Sequence, residues 1–326
     1  MPAPREVLSW IAELPGPVAV TYEAGPTGFG LARELRAAGV ECRVAAPSKL
    51  QRPTGDRVKT DVRDARHLAR LLHLDEISEV TVPSVEQEAA RDLVRAREDV
   101  RGDLMSARHR LSKLLLRQGI VYSGGKPWTA NHEQWLRTHR FVVPGLQTAY
   151  DTAMDTMLAT VDRRTRLDAA ITQMATESRY APVVTRLGCL RGVATLTAFG
   201  LAVEIGDWHR LTGRSIGAFV GLVPTESSSG ASRSQGAITK TGNAHARRLL
   251  IEAAWHQRAP FPRPGADLRR RWDQACPAAR LRGQQGTRRL HARWQHFDAR
   301  HKRPVIANAA IARELAGWCS LATLEG

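Results

Sequence analysis

Three consecutive serines stand directly before a glycine in a short segment that is rich in hydroxyl groups. The segment reads GLVPTESSSG over residues 221–230, and Ser229 is the last serine before Gly230. Glycine tolerates positive φ and allows close backbone approach, so a serine beside it can present its hydroxyl to a phosphate. The pattern favours a serine hydroxyl that contacts a phosphate, with Ser229 as the first candidate and Ser228 as the second. Composition alone also allows a solvated polar loop between two elements.

Positively charged side chains accompany the serine segment along the chain. They supply the charge that a bound phosphodiester needs nearby. We therefore predict a nucleic-acid-binding set that consists of Arg233, Lys240, Arg247 and Arg248.

Three carboxylates form a second group that could do chemistry. Glu23 follows a predicted strand, and sites in parallel α/β sheets lie at the carboxyl ends of strands. Asp61 and Asp64 are three residues apart at a predicted helix start, after Thr60 as a possible N-cap. Such acids can simply stabilise the helix N-terminus. Together with Glu23 they predict a magnesium site of the kind that metal-dependent nucleases use.

Alternating helix and strand patterns surround these acids. Helices are predicted over residues 5–14, 29–38 and 61–74, and strands over 18–22 and 40–46. Strands that alternate with helices at this spacing indicate an α/β domain with a parallel sheet. We assign this domain to residues 1–83.

Two long helix patterns follow, over residues 84–120 and 146–178. Apolar residues recur every seven positions in the first helix, which is typical of a coiled coil. This seam contains Leu93, Val100, Ala107 and Leu114. We expect residues 84–180 to form an antiparallel helical arm that mediates dimerisation or braces the domains, with dimerisation favoured.

The remaining residues, 181–326, predict a mostly helical domain that carries the serine loop. A helix pair is predicted over residues 187–211 and a helix over 244–255, and three further helices occupy a basic tail after Arg258. Helix pairs of this kind can present backbone N–H groups to phosphates. Tryptophans in the tail predict either stacking on nucleic acid or anchoring in the core.

The charge balance points to a polyanionic partner. The chain of 326 residues has 48 Lys and Arg against 32 Asp and Glu, a formal net charge of +16. Residues 241–326 carry sixteen cations and six acids, a net charge of +10. Nucleic acid is the simplest partner for such a chain.

The sequence shows no secretory or membrane signal. The four cysteines lie far apart in sequence, without zinc-ligand spacing or a disulfide framework. No signal peptide or bilayer-spanning run is evident. We therefore predict a cytoplasmic protein.

The segments around the acids and the serines resemble the insertion-sequence transposases of family one-hundred-ten. YEAGPTG at 22–28 and KTDVRDAR at 59–66 are similar to their nuclease domain, which has an Asp-Glu-Asp-Asp site. Residues 187–254, with GLVP at 221–224 and ITKTGN at 238–243, are similar to their C-terminal transposase domain. The resemblance covers most of the chain.

This resemblance implies an RNase H-like (RuvC-like) N-terminal domain, a coiled-coil arm and a mostly helical transposase domain. It implies cutting and rejoining of DNA by a serine nucleophile together with magnesium-binding carboxylates. Glu23, Asp61 and Asp64 match the second, third and fourth acids, and Ser229 matches the nucleophile. Guidance by a structured bridge RNA and assembly into dimers or tetramers with composite sites are further implications.

The first acid of the family pattern has no match. Upstream of Glu23 the acids are Glu6 and Glu13, and both lie on a predicted helix. The comparison with the family predicts an N-terminally truncated chain with a partial nuclease domain and an exposed strand edge. Such a chain is expected to be poorly soluble and inactive in recombination. The alternatives are a structure-selective, magnesium-dependent nuclease that uses water, and a non-catalytic nucleic-acid-binding protein.

Overall fold

The computed structural model describes residues 3–50, 60–229 and 232–324, apart from the side chains at positions 48, 228, 232 and 233. Its backbone divides into two compact units, Met1–Glu88 and Ala89–Gly326. The helices predicted as a separate arm lie mainly within the second unit.

The first unit alternates helices and strands as the sequence predicts. In chain order its elements are α1 (Pro4–Ala12), β1 (Ala19–Glu23), α2 (Gly30–Ala37), β2 (Glu41–Ala45), a 3₁₀ turn (Pro47–Lys49) and α3 (Asp61–His73). Strands β1 and β2 pair in parallel, with Glu23 opposite Ala45. The predicted parallel pairing is confirmed, and it places Glu23 at the carboxyl end of β1.

Local chemistry sets the bounds of these elements. Gly39 adopts a φ of +77°, which turns the chain out of α2 and into β2. The Thr60 hydroxyl accepts a hydrogen bond from the Arg63 backbone N–H at 3.4 Å, so Thr60 is the N-cap of α3. Leu35 and Val44 are fully buried and anchor α2 against β2.

Three helices open the second unit: α4 (Val85–Arg117), α5 (Ala130–Arg137) and α6 (Pro144–Glu177). Val94, near the start of α4, shares an apolar cluster with Ile171, near the end of α6. The other end of α4, with Leu115, shares a cluster with Tyr150 near the start of α6. The two long helices are therefore antiparallel, as predicted.

Part of the apolar face of α4 is covered within this chain. Leu104, Leu111 and Leu114 are buried among residues of α5 and α6. The Tyr150 hydroxyl donates to the Leu136 carbonyl at 2.6 Å and ties α6 to α5, which lies between the two predicted long helices. Leu93 and Val100 of the predicted seam are half-buried, and coiled-coil dimerisation stays a prediction.

The rest of the second unit is mostly helical. Its elements are α7 (Ala181–Leu187), α8 (Thr195–Ile205), α9 (Ser215–Phe219), β3 (Pro224–Ser229), β4 (Ser232–Ile238), α10 (Ala244–Trp255), α11 (Ala266–Asp273), α12 (Pro277–Ala299), α13 (Pro304–Trp318) and a 3₁₀ turn (Cys319–Thr323). Helices α8, α10, α12 and α13 share one apolar core, in which Phe199, Leu250, Trp294 and Ile311 are buried.

The basic segment after Arg258 is part of this core and not a separable tail. Trp294 is 1% exposed, and Trp272 is 4% exposed in a neighbouring apolar cluster. Both indole nitrogens donate to backbone carbonyls, those of Ala254 and Cys189 respectively. These two tryptophans are core anchors, which decides between the two roles that the sequence left open.

Among the helices of the described ranges, none is both long enough and apolar enough to cross a bilayer.

Candidate nucleic-acid site

The serine segment forms an antiparallel β-hairpin, so the predicted polar loop is wrong. Ser227 pairs with Ser234, and Ser229 pairs with Ser232 at the end of the ladder. The register is irregular between Pro224 and Glu226. The side chains on both faces are polar, so the hydrophobic alternation that marks a half-buried strand is absent from this sequence.

Ser229 is the last residue of β3 and its side chain is exposed. Because side chains alternate along a strand, Ser227 and Ser229 share one face of β3. Gly230 and the side chains of Ser228 and Arg233 lie outside the described residues. Within the described part, Ser229 is an accessible hydroxyl beside the end of the hairpin.

Two glycines fix the base of the hairpin to the helical core. Gly221 and Gly242 have φ values of +66° and +71°. A Cβ at Gly242 would lie 1.9 Å from the Phe219 carbonyl oxygen, so only glycine fits there without a backbone shift. The Arg247 guanidinium donates to the carbonyls of Val220 and Thr241, each at 2.9 Å. The close backbone contacts at these glycines and the hydrogen bonds of Arg247 therefore fix the base of the hairpin against the helical core.

Alanine at Gly242 is expected to destabilise the protein by about 2–4 kcal/mol, from left-handed backbone strain and the clash with Phe219. Gly119→Ala is the matched control, because Gly119 has the same φ of +71° with nothing within 4 Å of its Cβ position. The control should lose about 1 kcal/mol. Urea unfolding of both variants measures the difference, and equal losses would show that the Phe219 contact is unimportant.

The predicted cations have different surroundings. Lys240 is exposed and has a positive φ of +56°. Arg248 forms ion pairs with Glu98 and, at 2.5 Å, with Glu252. Arg247 and Arg248 thus contact protein groups, and Lys240 presents its charge to solvent. A phosphate-binding role for these residues stays a prediction.

A buried carboxylate connects three helices close to this base. Glu204 in α8 has a fully buried side chain. Its oxygens accept hydrogen bonds from Arg95 in α4 at 3.0 and 3.1 Å. They also accept from the Asn243 amide at 2.6 Å and contact His245 Nδ1 at 3.0 Å. Burial by itself would raise the pKa of Glu204, but the hydrogen bonds from His245, Arg95 and Asn243 outweigh it and lower the pKa to about 2.

This carboxylate positions the segment that follows the hairpin. The Asn243 side chain accepts a hydrogen bond from the Ala246 backbone N–H at 2.9 Å and caps α10. The amide nitrogen of the same Asn243 side chain donates to Glu204, so this carboxylate fixes the start of α10. Sequence reasoning missed Glu204, although a single acid inside the apolar run 196–205 was a usable signal.

The predicted metal ligands lie on two neighbouring elements of the first unit. Glu23 is exposed at the end of β1, and Asp61 and Asp64 occupy the first turn of α3, which packs against β1. Their carboxylate oxygens are the donors that Mg²⁺ prefers. Within the described ranges, no three His, Cys, Asp or Glu residues are arranged so that they could hold a metal ion. The donor chemistry fits magnesium, and a gathered ligand set stays a prediction.

Two family models match this chain over both candidate sites. The model described as transposase of the IS116/IS110/IS902 family matches residues 184–266, which include the serine hairpin. A DEDD transposase model of IS110 elements matches residues 1–119, which include the three acids.

Individual proteins are similar over most of the chain. Protein y4qE of Sinorhizobium fredii, whose name describes it as a transposase, is 39% identical over 91% of this chain and 73% of its own length. The transposase for insertion sequence element IS1533 of Leptospira borgpetersenii is 33% identical over 86% of this chain and 82% of its own length. The transposase for insertion sequence element IS1328 of Yersinia enterocolitica is 25% identical over 76% of this chain and 73% of its own length.

Proposed function

This chain belongs to the IS116/IS110/IS902 family of transposases, and we propose that it cuts and rejoins DNA with Ser229 as the nucleophile. One observation carries the proposal: Ser229 is exposed at the end of a hairpin whose base is fixed by tight backbone contacts. A nucleophile needs both access to its substrate and a defined position.

The proposed reaction is a transesterification that conserves the number of phosphodiester bonds. The Ser229 hydroxyl loses its proton to solvent as Oγ attacks phosphorus, and one P–O bond of the DNA strand breaks. The departing deoxyribose oxygen takes up a proton, and the strand stays linked to the serine. Attack by a hydroxyl of a second strand reverses these events, so rejoining needs no external energy source.

The first unit would supply the carboxylates of an RNase H-like domain. The parallel pairing of β1 with β2 and the match to a DEDD model support this part of the proposal. Glu23, Asp61 and Asp64 would hold a magnesium ion, which when bound neutralises charge on the transferring phosphoryl group. These side chains must themselves stay ionised and unpaired with cations to serve as ligands.

Binding of magnesium by these carboxylates should depend on the concentration of the ion, because occupancy follows mass action. We therefore expect DNA cutting to rise with the concentration of Mg²⁺ or Mn²⁺ until the site is saturated. The inactivity that the comparison with the family predicts stays a prediction, and the same titration tests it.

Asparagine at Asp61 is expected to weaken Mn²⁺ binding at least about tenfold and to reduce DNA cutting in parallel. Asp75→Asn is the control, because Asp75 is an exposed acid of the same unit that pairs with Arg43. Isothermal titration with Mn²⁺ gives the affinity independently of any reaction. Equal Mn²⁺ affinity in the Asp61 variant and the wild type would remove Asp61 from the proposed ligand set.

Partners beyond DNA are part of the same proposal. The net charge of +16 supports binding of a structured guide RNA as well as DNA. Assembly into dimers or tetramers is proposed from the resemblance to the family. Light scattering with and without RNA measures the mass of the assembly and shows whether RNA binds to it.

Two alternative functions make different predictions for the same assays. A structure-selective nuclease would use water, release free DNA ends and tolerate loss of Ser229. A non-catalytic nucleic-acid-binding protein would bind DNA and yield neither cut strands nor a covalent product at any metal concentration.

A further inference from the structure

An arginine-lined cavity of about 650 Å³ lies beside the base of the serine hairpin. The hairpin contributes Pro224, Glu226 and Gln235 to its wall. The remaining wall comes from α9 and the residues before it, from α12 and from α13. Its basic side chains are those of Arg214, Arg282, Arg293 and Arg313.

The wall of this arginine cavity contains arginines that no carboxylate of the described residues pairs with. Glu314, one of two acids in the wall, accepts from Arg293 at 2.5 Å and from Arg289 at 3.1 Å. The second acid is Glu226. In the part of the chain that the structure describes, Arg214, Arg282 and Arg313 form no ion pair with a carboxylate. All three are exposed, so an anion in the cavity can reach them.

Close helix packing places one of these arginines over an aromatic ring. A Cβ at Gly286 would lie 3.0 Å from the Trp318 ring, so this ring lies flat on α12 where a side chain is missing. Arg282 is one helical turn earlier on α12, on the same face. Its guanidinium lies 4.4 Å from the centre of the Trp318 ring. Both residues line the cavity, so this cation–π contact holds the Arg282 guanidinium at the cavity wall.

Glycines allow close packing of the segments that carry Arg214 and Arg313. A Cβ at Gly317 would lie 2.8 Å from the Gly213 carbonyl oxygen, so α13 and the segment before α9 are in close backbone contact. Arg214 follows one of these glycines. A Cβ at Gly217 would meet the Arg313 side chain at 3.1 Å. Close packing at these glycines thus places Arg214 and Arg313 in the wall of one cavity.

We propose that this arginine cavity binds the phosphodiester backbone of a nucleic-acid strand that passes the serine hairpin. The inference rests on the proposed function, because it assigns a grip to the strand on which Ser229 acts. Planar guanidinium groups bind phosphate oxygens through paired, charge-assisted hydrogen bonds. A guanidinium plane held by Trp318 also offers a stacking surface for a base. DNA and RNA share this chemistry, and the experiment distinguishes them.

The test uses glutamine variants of Arg282 and Arg313 in the full chain. Fluorescence anisotropy measures their binding to labelled single-stranded DNA and RNA of one sequence, over a range of salt concentrations. Each substitution is expected to weaken binding about tenfold and to lower the salt slope by about one. A loss with DNA supports a grip on the substrate strand, and a loss confined to RNA would overturn that assignment in favour of a guide-binding site.

Arg288→Gln is the matched control, because Arg288 is an exposed arginine of α12 that does not line the arginine cavity. Its affinity is expected to fall less than that of either cavity variant, with both strands. Equal losses in the cavity variants and the control would overturn the assignment of the cavity while leaving the proposed function intact. Failure of the wild type to bind either strand would instead contradict the proposed function itself.

Discussion

Alanine at Ser229 is expected to abolish the covalent protein–DNA product and strand rejoining, with a loss on the order of a thousandfold or more. The hydroxyl oxygen forms the bond that conserves the phosphodiester energy, and alanine offers no replacement. Binding of DNA should stay close to that of the wild type, because the substitution removes no charge and Ser229 is exposed at the end of its strand. Gel analysis of denatured complexes measures the covalent product, and anisotropy measures the binding.

Ser227→Ala and Ser228→Ala are the controls for this substitution. Ser227 shares a strand and a face with Ser229, so its variant reproduces any general effect on the hairpin. Both controls should keep the covalent product. Its persistence in Ser229→Ala together with its loss in Ser228→Ala would transfer the nucleophilic role to Ser228. Cutting that none of the three substitutions affects would favour a nuclease that uses water.

Glutamine at Glu204 is expected to lower the free energy of unfolding by about 3 kcal/mol at neutral pH. Lowering the pKa of this buried carboxyl from its ordinary value of 4.5 to about 2 corresponds to about that preference for the ionised form. A neutral amide cannot accept from Arg95, Asn243 and His245 together with the same strength. Loss of one partner from a buried ionic network typically costs 3–5 kcal/mol.

The control for Glu204 is Glu252→Gln. Glu252 also accepts from an arginine, but its side chain is 55% exposed, and exposed pairs contribute about 0–1 kcal/mol. Urea unfolding should separate the two variants clearly. Similar small losses of unfolding free energy in both variants would mean that the hydrogen bonds of Glu204 contribute little to the stability of this unit.

The effect of Glu204 should depend on pH in a defined direction. The folded pKa lies below the unfolded value, so the contribution is complete above about pH 5 and declines as the pH falls toward 2. The difference in unfolding free energy between the wild type and Glu204→Gln should therefore shrink between pH 5 and pH 3. A difference that stays constant over this interval would exclude ionisation of Glu204 as its source.

Local patterns in the sequence were sufficient to predict much of the backbone. Helix α10 has the predicted bounds, and the capping chemistry of Thr60 places α3 within one residue of its prediction. The parallel pairing of β1 with β2 followed from the alternation of strand and helix. These features depend on side chains close in sequence, which is why composition and periodicity reveal them.

Features that depend on distant residues could not be predicted in the same way. The ladder between β3 and β4 joins polar strands whose side chains give no alternation. Arg247 was predicted to bind phosphate, which stays a prediction, and the structure adds that one nitrogen of its guanidinium donates to two backbone carbonyls. Glu204 and Arg95 are more than a hundred residues apart and meet only in the fold. A charged residue's role therefore depends on partners that its neighbouring sequence does not identify.

Mapping of the residue that becomes linked to DNA tests the central claim most directly. The full chain is incubated with donor DNA and saturating Mg²⁺ or Mn²⁺, denatured, digested with nuclease and protease, and analysed by mass spectrometry. We expect a nucleotide attached to Ser229 in the wild type and no such peptide in Ser229→Ala. Cut DNA with free ends and no nucleotide on any serine of the hairpin would contradict the account.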